Sequence, residues 1–168
     1  MSEPGLEGPL VSASWLHDRL DRVRVVDVRW YIDGRSGHAA YLERHVPGAV
    51  RADLDSDLAA PPAELLGRHP LPSPEQFATA LGRLGIAHDD TVVAYDDASG
   101  SIAARLWWML DAIGIRAAVL DGGLASWTWP LSLEEVSPEP VVVTARGWPV
   151  ERFADADEVD GIRRDGSG

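Results

Sequence analysis

The chain has 168 residues, of which 45% are hydrophobic, and its seven tryptophans help to supply one sizeable core. Its formal net charge of −12 argues against nucleic acid and anionic membranes as partners, because a phosphate backbone demands a basic protein surface. The sequence contains no cysteine, which excludes disulfides, thiolate metal sites and a thiol nucleophile.

The N-terminus, residues 1–9, is rich in glycine and proline and is predicted to be flexible. It has neither a basic start nor an apolar stretch, so no signal peptide is predicted. No later run is long enough to predict a membrane span, and we expect a cytoplasmic protein. Ser12 or Ser14 is predicted to cap a short helix that continues to Leu20.

A valine-rich run, residues 23–28, predicts a buried strand. Asp27 and Arg29 lie at its carboxyl end, where functional side chains of α/β proteins gather. The simpler interpretation is an ion pair that fixes the exit of the strand. A turn-rich loop, a short helix at 38–44 and a second strand at 49–54 follow.

His45, between that helix and that strand, is either a general base or a structural residue. Residues 55–72 carry four prolines and predict a surface excursion, a name we keep for this segment. Asp55 and Asp57 lie there, but the segment lacks the further oxygen ligands and the glycine of a calcium loop. We therefore predict no metal site.

A strong helix start follows the excursion. Ser73 is predicted to be the N-cap, with proline at the first helical position and Gln76 completing a capping box. The inner face of this helix is predicted to carry Phe77, Leu81 and Leu84.

Residues 91–108 predict a buried strand, a short loop rich in Asp, Ser and Gly, and an apolar helix. We call residues 96–102 the central loop. Its backbone N–H groups are expected to point inward at the start of the helix, where the helix dipole favours an anion. Asp96 lies at the carboxyl end of the strand, in the position of a nucleophile.

Residues 117–120 predict another strand, and Gly122 and Gly123 permit a tight turn into a helix that ends near Trp129. The following segment, residues 131–150, includes a valine run at 141–143, which predicts a strand or an extended connector. From residue 154 the pattern is typical of the opening of a further helix.

Four segments resemble the rhodanese family, in the order in which that family carries them. They are Val-Val-Asp-Val-Arg-Trp-Tyr at 25–31, Tyr-Leu-Glu-Arg-His-Val-Pro-Gly-Ala at 41–49, the strand, loop and helix of 91–108, and Val-Leu-Asp-Gly-Gly-Leu-Ala-Ser-Trp at 119–127. The resemblance implies a rhodanese-like α/β fold, with a parallel sheet of about five strands flanked by helices. In catalytic members a cysteine follows the strand and takes up sulfur as a persulfide. Asp96 stands in its place.

The resemblance implies the non-catalytic N-terminal domain of a two-domain thiosulfate or 3-mercaptopyruvate sulfurtransferase, which passes sulfur to an acceptor such as cyanide. Residues 10–146 would form this domain, and residues 147–168 a linker and the start of a truncated second domain. The implied partner is a C-terminal, cysteine-containing rhodanese domain of the same protein. The chain alone is expected to transfer no sulfur, and the family implies no cofactor.

The resemblance also assigns roles to individual residues. Trp30 would be a wall of the interdomain cleft, with core packing as the alternative. Arg105 matches a family arginine and is predicted to pair with an acid such as Asp27 or Asp96. Seven residues would form the loop of the former active site: Asp96, Asp97, Ala98, Ser99, Gly100, Ser101 and Ile102.

Two interpretations of the acidic pair in the central loop remain open. The Asp96 carboxylate accepts hydrogen bonds from the loop N–H groups as a built-in anion, which we prefer. Alternatively, Asp96 and Asp97 bind a cation and support metal-dependent hydrolysis. A stand-alone, cysteine-free module that binds a protein or an anion is a further alternative for the whole chain.

Overall fold

The computed structural model describes residues 5–64, 66–154 and 156–166. Five strands form one sheet in the order β1-β5-β4-β2-β3, and every neighbouring pair is parallel. The predicted α/β fold with a parallel sheet of about five strands is confirmed. The strands are β1 Leu10–Val11, β2 Arg24–Asp27, β3 Val50–Arg51, β4 Thr91–Tyr95 and β5 Arg116–Leu120.

Helices lie along the chain between the strands and after them. They are α1 Ala13–His17, α2 Gly37–Glu43, α3 Pro74–Arg83, α4 Ala103–Ala112 and α5 Ala156–Asp165, with short 3₁₀ turns at Gly123–Ser126 and Val150–Arg152. Within the described ranges, no helix combines the length and the apolar character that a membrane crossing requires.

The sheet buries both of its faces, and β4 at its centre is buried at every residue. Side chains alternate between the faces along a strand. Val92 and Ala94 therefore join the core on the side of α3 and α4, whereas Val93 and Tyr95 join a second core that includes Leu16 of α1. The continuous apolar pattern of β4 reflects this two-sided burial.

Helix α3 begins as its sequence predicts. The Ser73 hydroxyl accepts the N–H of Gln76, and the Gln76 side chain accepts the N–H of Ser73, which completes the capping box. Its predicted inner face, Phe77, Leu81 and Leu84, is buried in the core.

Several predicted boundaries are wrong. Helix α1 ends at His17 rather than at Leu20, and β3 covers two residues instead of 49–54. Strand β3 ends early because the Asp53 carboxylate accepts the N–H groups of Asp55 and Ser56 and closes a turn there.

The predicted helix after Gly123 is a single 3₁₀ turn. It stops at Trp127, which is extended and whose buried indole donates to the Pro130 carbonyl. No sequence pattern predicted β1, which supplies the fifth strand in place of the valine run at 141–143.

That valine run is an extended connector. Residues 141–148 pack across α3 and α4 through four hydrogen bonds: Val141 N–H to the Gly82 carbonyl, the His88 ring with the Thr144 carbonyl, the Arg146 guanidinium to the Ile113 carbonyl, and the Trp148 indole to the Pro72 carbonyl. The Trp148 ring also stacks on Phe77, with ring centroids 5.4 Å apart. Backbone and side-chain hydrogen bonds to helix ends and loops, rather than pairing with the sheet, therefore hold this segment.

A buried ion pair closes the carboxyl end of β2. The Asp27 carboxylate is fully buried and accepts the Arg29 guanidinium, with a shortest N–O distance of 2.6 Å, and the Tyr95 hydroxyl at 2.7 Å. The predicted Asp27–Arg29 pair is confirmed. Burial would lower the pKa of Arg29, but the hydrogen bond and charge of Asp27 raise it overall. Such a pair is stable in the interior only because its remaining polar atoms also have partners.

His45 has the structural role that we weighed for it. Its ring is buried, with Nδ1 2.7 Å from the Tyr41 carbonyl and Nε2 3.1 Å from the Glu134 carbonyl. Its main chain exchanges two hydrogen bonds with Ser132. These contacts hold the chain just after α2 against the segment that follows the 3₁₀ turn at Gly123–Ser126.

Alkaline pH is expected to unfold the domain through its buried tyrosines. Burial raises the pKa of Tyr41, and burial together with the Asp27 charge raises the pKa of Tyr95 well above its ordinary value near 10. The unfolded chain therefore releases these protons first, so the stability is complete below about pH 10 and falls as the pH rises further. The absorbance of two tyrosinates, beyond that of the partly exposed Tyr31, should appear together with loss of the fold. Two buried tyrosines ionising in a folded chain near pH 10 would contradict this expectation.

Candidate functional site

The central loop converges on one carboxylate. Asp96 directly follows β4 and is fully buried. Its Oδ1 accepts the N–H groups of Ala98 at 2.9 Å and Gly100 at 2.8 Å, and its Oδ2 accepts those of Ile102 at 2.8 Å and Ala103 at 2.9 Å. The hydrogen bonds expected of a built-in anion are therefore present.

Asp96 also caps helix α4. The residue at the N-cap position, Ile102, makes no side-chain capping bond, so the first N–H groups of the helix depend on another acceptor. The Asp96 carboxylate supplies it, and its negative charge lies at the positive end of the helix dipole. A group six residues upstream thus replaces the usual local cap.

The backbone of the loop is shaped for this convergence. Ser99 and Gly100 have left-handed φ values of 58° and 82°, which turn the chain around the carboxylate. Gly123, in the turn after β5, packs so closely on the Asp96 carbonyl that a Cβ there would clash. The next residue, Leu124, donates its N–H to that carbonyl at 2.8 Å. The two-glycine turn predicted from the sequence therefore supports the base of the loop.

The outer side of the loop is polar and exposed. The Asp97 carboxylate accepts the Tyr31 hydroxyl at 2.7 Å, and the Arg35 guanidinium lies 4.0 Å from the centre of the Tyr31 ring. Burial and the hydrogen bond to Asp97 raise the pKa of Tyr31. The Ser101 hydroxyl turns back to the Ala98 carbonyl. The loop is thereby joined to the segment that follows β2.

This geometry does not favour a cation between Asp96 and Asp97. Both oxygens of Asp96 are occupied by backbone N–H groups, and Asp97 turns to Tyr31. Over the described parts of the chain, no three His, Asp or Glu side chains are arranged to hold a metal ion. The arrangement suits anion-like stabilisation of the loop by its own carboxylate better than metal-dependent hydrolysis.

Trp30 lies in a small cluster that the sequence did not reveal. Its indole Nε1–H donates to Asp55 at 2.9 Å, and the same carboxylate lies 2.8 Å from the His69 Nε2. The Trp30 and His69 rings meet edge to face, with centroids 5.2 Å apart. We call Trp30, Asp55 and His69 the wall cluster. Trp30 is half-buried and packs against the core on the side of α3 and α4, so it lies at the border between that core and the surface.

In the sequence analysis, Asp55 and His69 are assigned to an irregular surface excursion. Asp55 is considered there as a metal ligand only. The two residues are fourteen positions apart in a segment without periodicity, so no spacing rule could join them. The single usable signal was a carboxylate and a histidine in one segment, which is a common and weak pattern. Their meeting depends on how the excursion folds back over the sheet edge.

The predicted partner of Arg105 is wrong. Among the residues that the structure describes, its guanidinium binds three backbone carbonyls of the excursion and no carboxylate: Leu58 at 2.9 Å, His69 at 3.1 Å and Pro70 at 3.2 Å. The acids proposed for it are already occupied, Asp96 by loop N–H groups and Asp27 by Arg29 and Tyr95. Burial lowers the pKa of Arg105, but an arginine remains charged in a protein.

A model of the rhodanese-like domain family matches residues 12–128, more than half of the chain. The chain belongs to the rhodanese family. The fold expected from the four motifs is therefore confirmed, and the match covers strands β2 to β5, the central loop and the wall cluster. The sequence contains no cysteine, so this rhodanese domain lacks the thiol on which persulfide chemistry depends.

Relatives with sulfurtransferase names are similar to this rhodanese domain. SseB of Mycobacterium tuberculosis is 47% identical over 108 residues, 64% of this chain and 38% of the relative. Thiosulfate sulfurtransferase of Bos taurus is 40% identical over 151 residues, 81% of this chain and 49% of the relative.

A solved structure shows the same fold. The crystal structure of SseA from Escherichia coli, described as showing the rhodanese fold and catalytic mechanism of 3-mercaptopyruvate sulfotransferases, superposes with a TM-score of 0.82 at 28% identity. It covers 95% of this chain and 63% of that structure. The chain thus spans between 38% and 63% of the lengths of these relatives.

Asp96→Asn is expected to destabilise the domain by about 3 kcal/mol, because an amide group replaces one of two oxygens that each accept two N–H groups. Asp97→Asn keeps an acceptor for Tyr31 on the exposed side of the loop and should cost less than about 0.5 kcal/mol. Urea denaturation of both variants measures the difference. Equal, small losses would show that the carboxylate does not organise the loop.

Proposed function

We propose that this rhodanese domain is the non-catalytic N-terminal half of a two-domain thiosulfate or 3-mercaptopyruvate sulfurtransferase. The observation that carries the proposal is the occupied central loop: the Asp96 carboxylate fills the anion position that a persulfide or oxyanion would otherwise take. The similarity to sulfurtransferases about twice as long as the matched region supports it.

In this proposal the chemistry takes place on a cysteine of a C-terminal rhodanese domain of the same protein. That thiolate takes sulfur from the donor and passes it to a thiophilic acceptor such as cyanide. Residues 10–146 form the N-terminal domain, and residues 147–168 form the linker and the opening of the second domain. The cytoplasmic location predicted from the sequence is part of the same proposal.

The role of this domain is to shape the cleft in which that cysteine works. Trp30, backed by Asp55 and His69, forms one wall, and Ser101 and Ile102 of the central loop face the cysteine. The half-buried state of Trp30 supports this role, because an amphipathic ring with its N–H already bonded can offer its exposed part to a partner, together with the Arg68 guanidinium that lies 5.2 Å from the ring centre. The buried Asp27–Arg29 pair, directly before Trp30, fixes the direction from which that ring leaves β2.

The loop N–H groups do not serve the substrate in this arrangement. All four are held by Asp96, and a further anion would meet a carboxylate rather than free donors. In this proposal the domain therefore contributes shape and packing to the cleft rather than hydrogen bonds from the central loop.

An assay of thiocyanate release tests whether sulfur transfer depends on the cysteine-containing domain. This chain, given thiosulfate or 3-mercaptopyruvate with cyanide, is expected to release no thiocyanate above a buffer blank. The same chain joined to the cysteine-containing domain should be active. Activity of the isolated chain would overturn the proposal, and inactivity of the joined protein with a folded chain would favour the stand-alone binding module.

Substitution of the proposed wall tests the cleft directly. In the joined protein, Trp30→Ala is expected to reduce kcat/KM about tenfold or more, since a large aromatic contact at the cleft is lost. Trp129→Ala is the matched control, because Trp129 is also half-buried but packs on His17 in the other core region. Equal effects of the two variants would remove Trp30 from the cleft.

A further inference from the structure

One guanidinium gathers both ends of the excursion. From α4, the Arg105 Nε–H donates to the Leu58 carbonyl near the start of the excursion, and an Nη donates to the His69 and Pro70 carbonyls near its end. The Ala60 N–H also donates to Pro70 at 2.9 Å. These bonds hold the two ends of the excursion together, and we call this set of contacts the neck of the excursion.

The geometry points to Arg105 as a positioning residue for the wall cluster, an inference that rests on the cleft role proposed above. We infer that its hydrogen bond to the His69 carbonyl determines where the His69 ring contacts Asp55 and Trp30, and hence the shape of the cleft wall. Arg105 itself lies behind the wall and is not assigned a contact with the substrate.

The choice of backbone acceptors leaves the wall cluster intact. Because Arg105 takes carbonyl oxygens alone, the Asp55 carboxylate remains free to accept Trp30 and to bind His69. An arginine suits this task, since its planar fork donates in two directions at once. A lysine in the same place keeps the charge but offers one compact ammonium, which cannot reach both ends of the neck.

The same helical turn also anchors the central loop. Ala103, two residues before Arg105, donates its N–H to Asp96. The first turn of α4 thus holds the central loop through its backbone and the excursion through a side chain. The two surfaces that are proposed to face the partner's cysteine are fixed to one rigid element, which keeps their relative placement constant.

Arg105→Lys in this chain tests the positioning directly. Hydrogen exchange of the Ala60 amide is expected to become about tenfold faster as the neck loosens, and the His69 ring signals should shift in NMR spectra, with His69→Gln used to assign them. Arg146→Lys is the matched control, because Arg146 also donates to a carbonyl, that of Ile113, but away from the excursion. Unchanged exchange and ring signals in Arg105→Lys, or the same changes in Arg146→Lys, would overturn the inference.

The joined two-domain protein adds a kinetic test. Arg105→Lys is expected to raise the KM for the sulfur donor at least threefold, and this effect should vanish when His69 is already replaced by Gln, since the arginine acts through the wall cluster. Fully additive effects of the two substitutions would contradict this route. The two proposals fail separately. An unchanged Ala60 exchange rate in Arg105→Lys of the isolated chain refutes the positioning role. An unchanged kcat/KM in Trp30→Ala of the joined protein refutes the cleft role.

Discussion

Four backbone N–H groups share one buried carboxylate, and the rest of this domain's candidate site depends on that arrangement. Asp96 lies at 0% exposure, where an unpaired charge would be costly. The four hydrogen bonds and the N-terminus of α4 offset that cost. The shape of the central loop and the start of α4 depend on the two carboxylate oxygens of Asp96, and the glycine turn at 122–123 packs on the main-chain carbonyl of the same residue.

The arrangement explains how a rhodanese domain without cysteine keeps the loop of its family. A ring of inward N–H groups without a ligand would leave buried donors unsatisfied. The side chain at the end of β4 satisfies these donors within the chain itself. Around the loop, the Tyr31–Asp97 hydrogen bond and the wall cluster lie nearer the surface.

Local chemistry was predictable from the sequence wherever neighbouring residues decide it. The capping box of α3 needs only Ser73 and Gln76, and the ion pair at the end of β2 joins residues two positions apart. The Asp96 hydrogen bonds were predictable because a strand, a short loop and a helix in succession force the loop N–H groups inward. In each case the partners lie within seven residues of one another.

Contacts between distant segments were not predictable in the same way. Arg105 was expected to seek an acid, but carbonyl oxygens are present at every residue and leave no trace in a sequence. Strand β1 has two residues, too few for a periodic pattern, and exists because β5 offers it an edge. The wall cluster depends on the path of an irregular segment, which neither propensity nor spacing describes.

The most direct test of the built-in anion is a titration of the ¹⁵N-labelled chain with thiosulfate, followed at the amides of the four donors, Ala98, Gly100, Ile102 and Ala103. Their signals are expected to stay in place while the domain remains folded, because Asp96 already holds every one of these N–H groups. Saturable shifts of these four amides would show that an external anion enters the loop, and would contradict the view that this rhodanese domain has filled its own site.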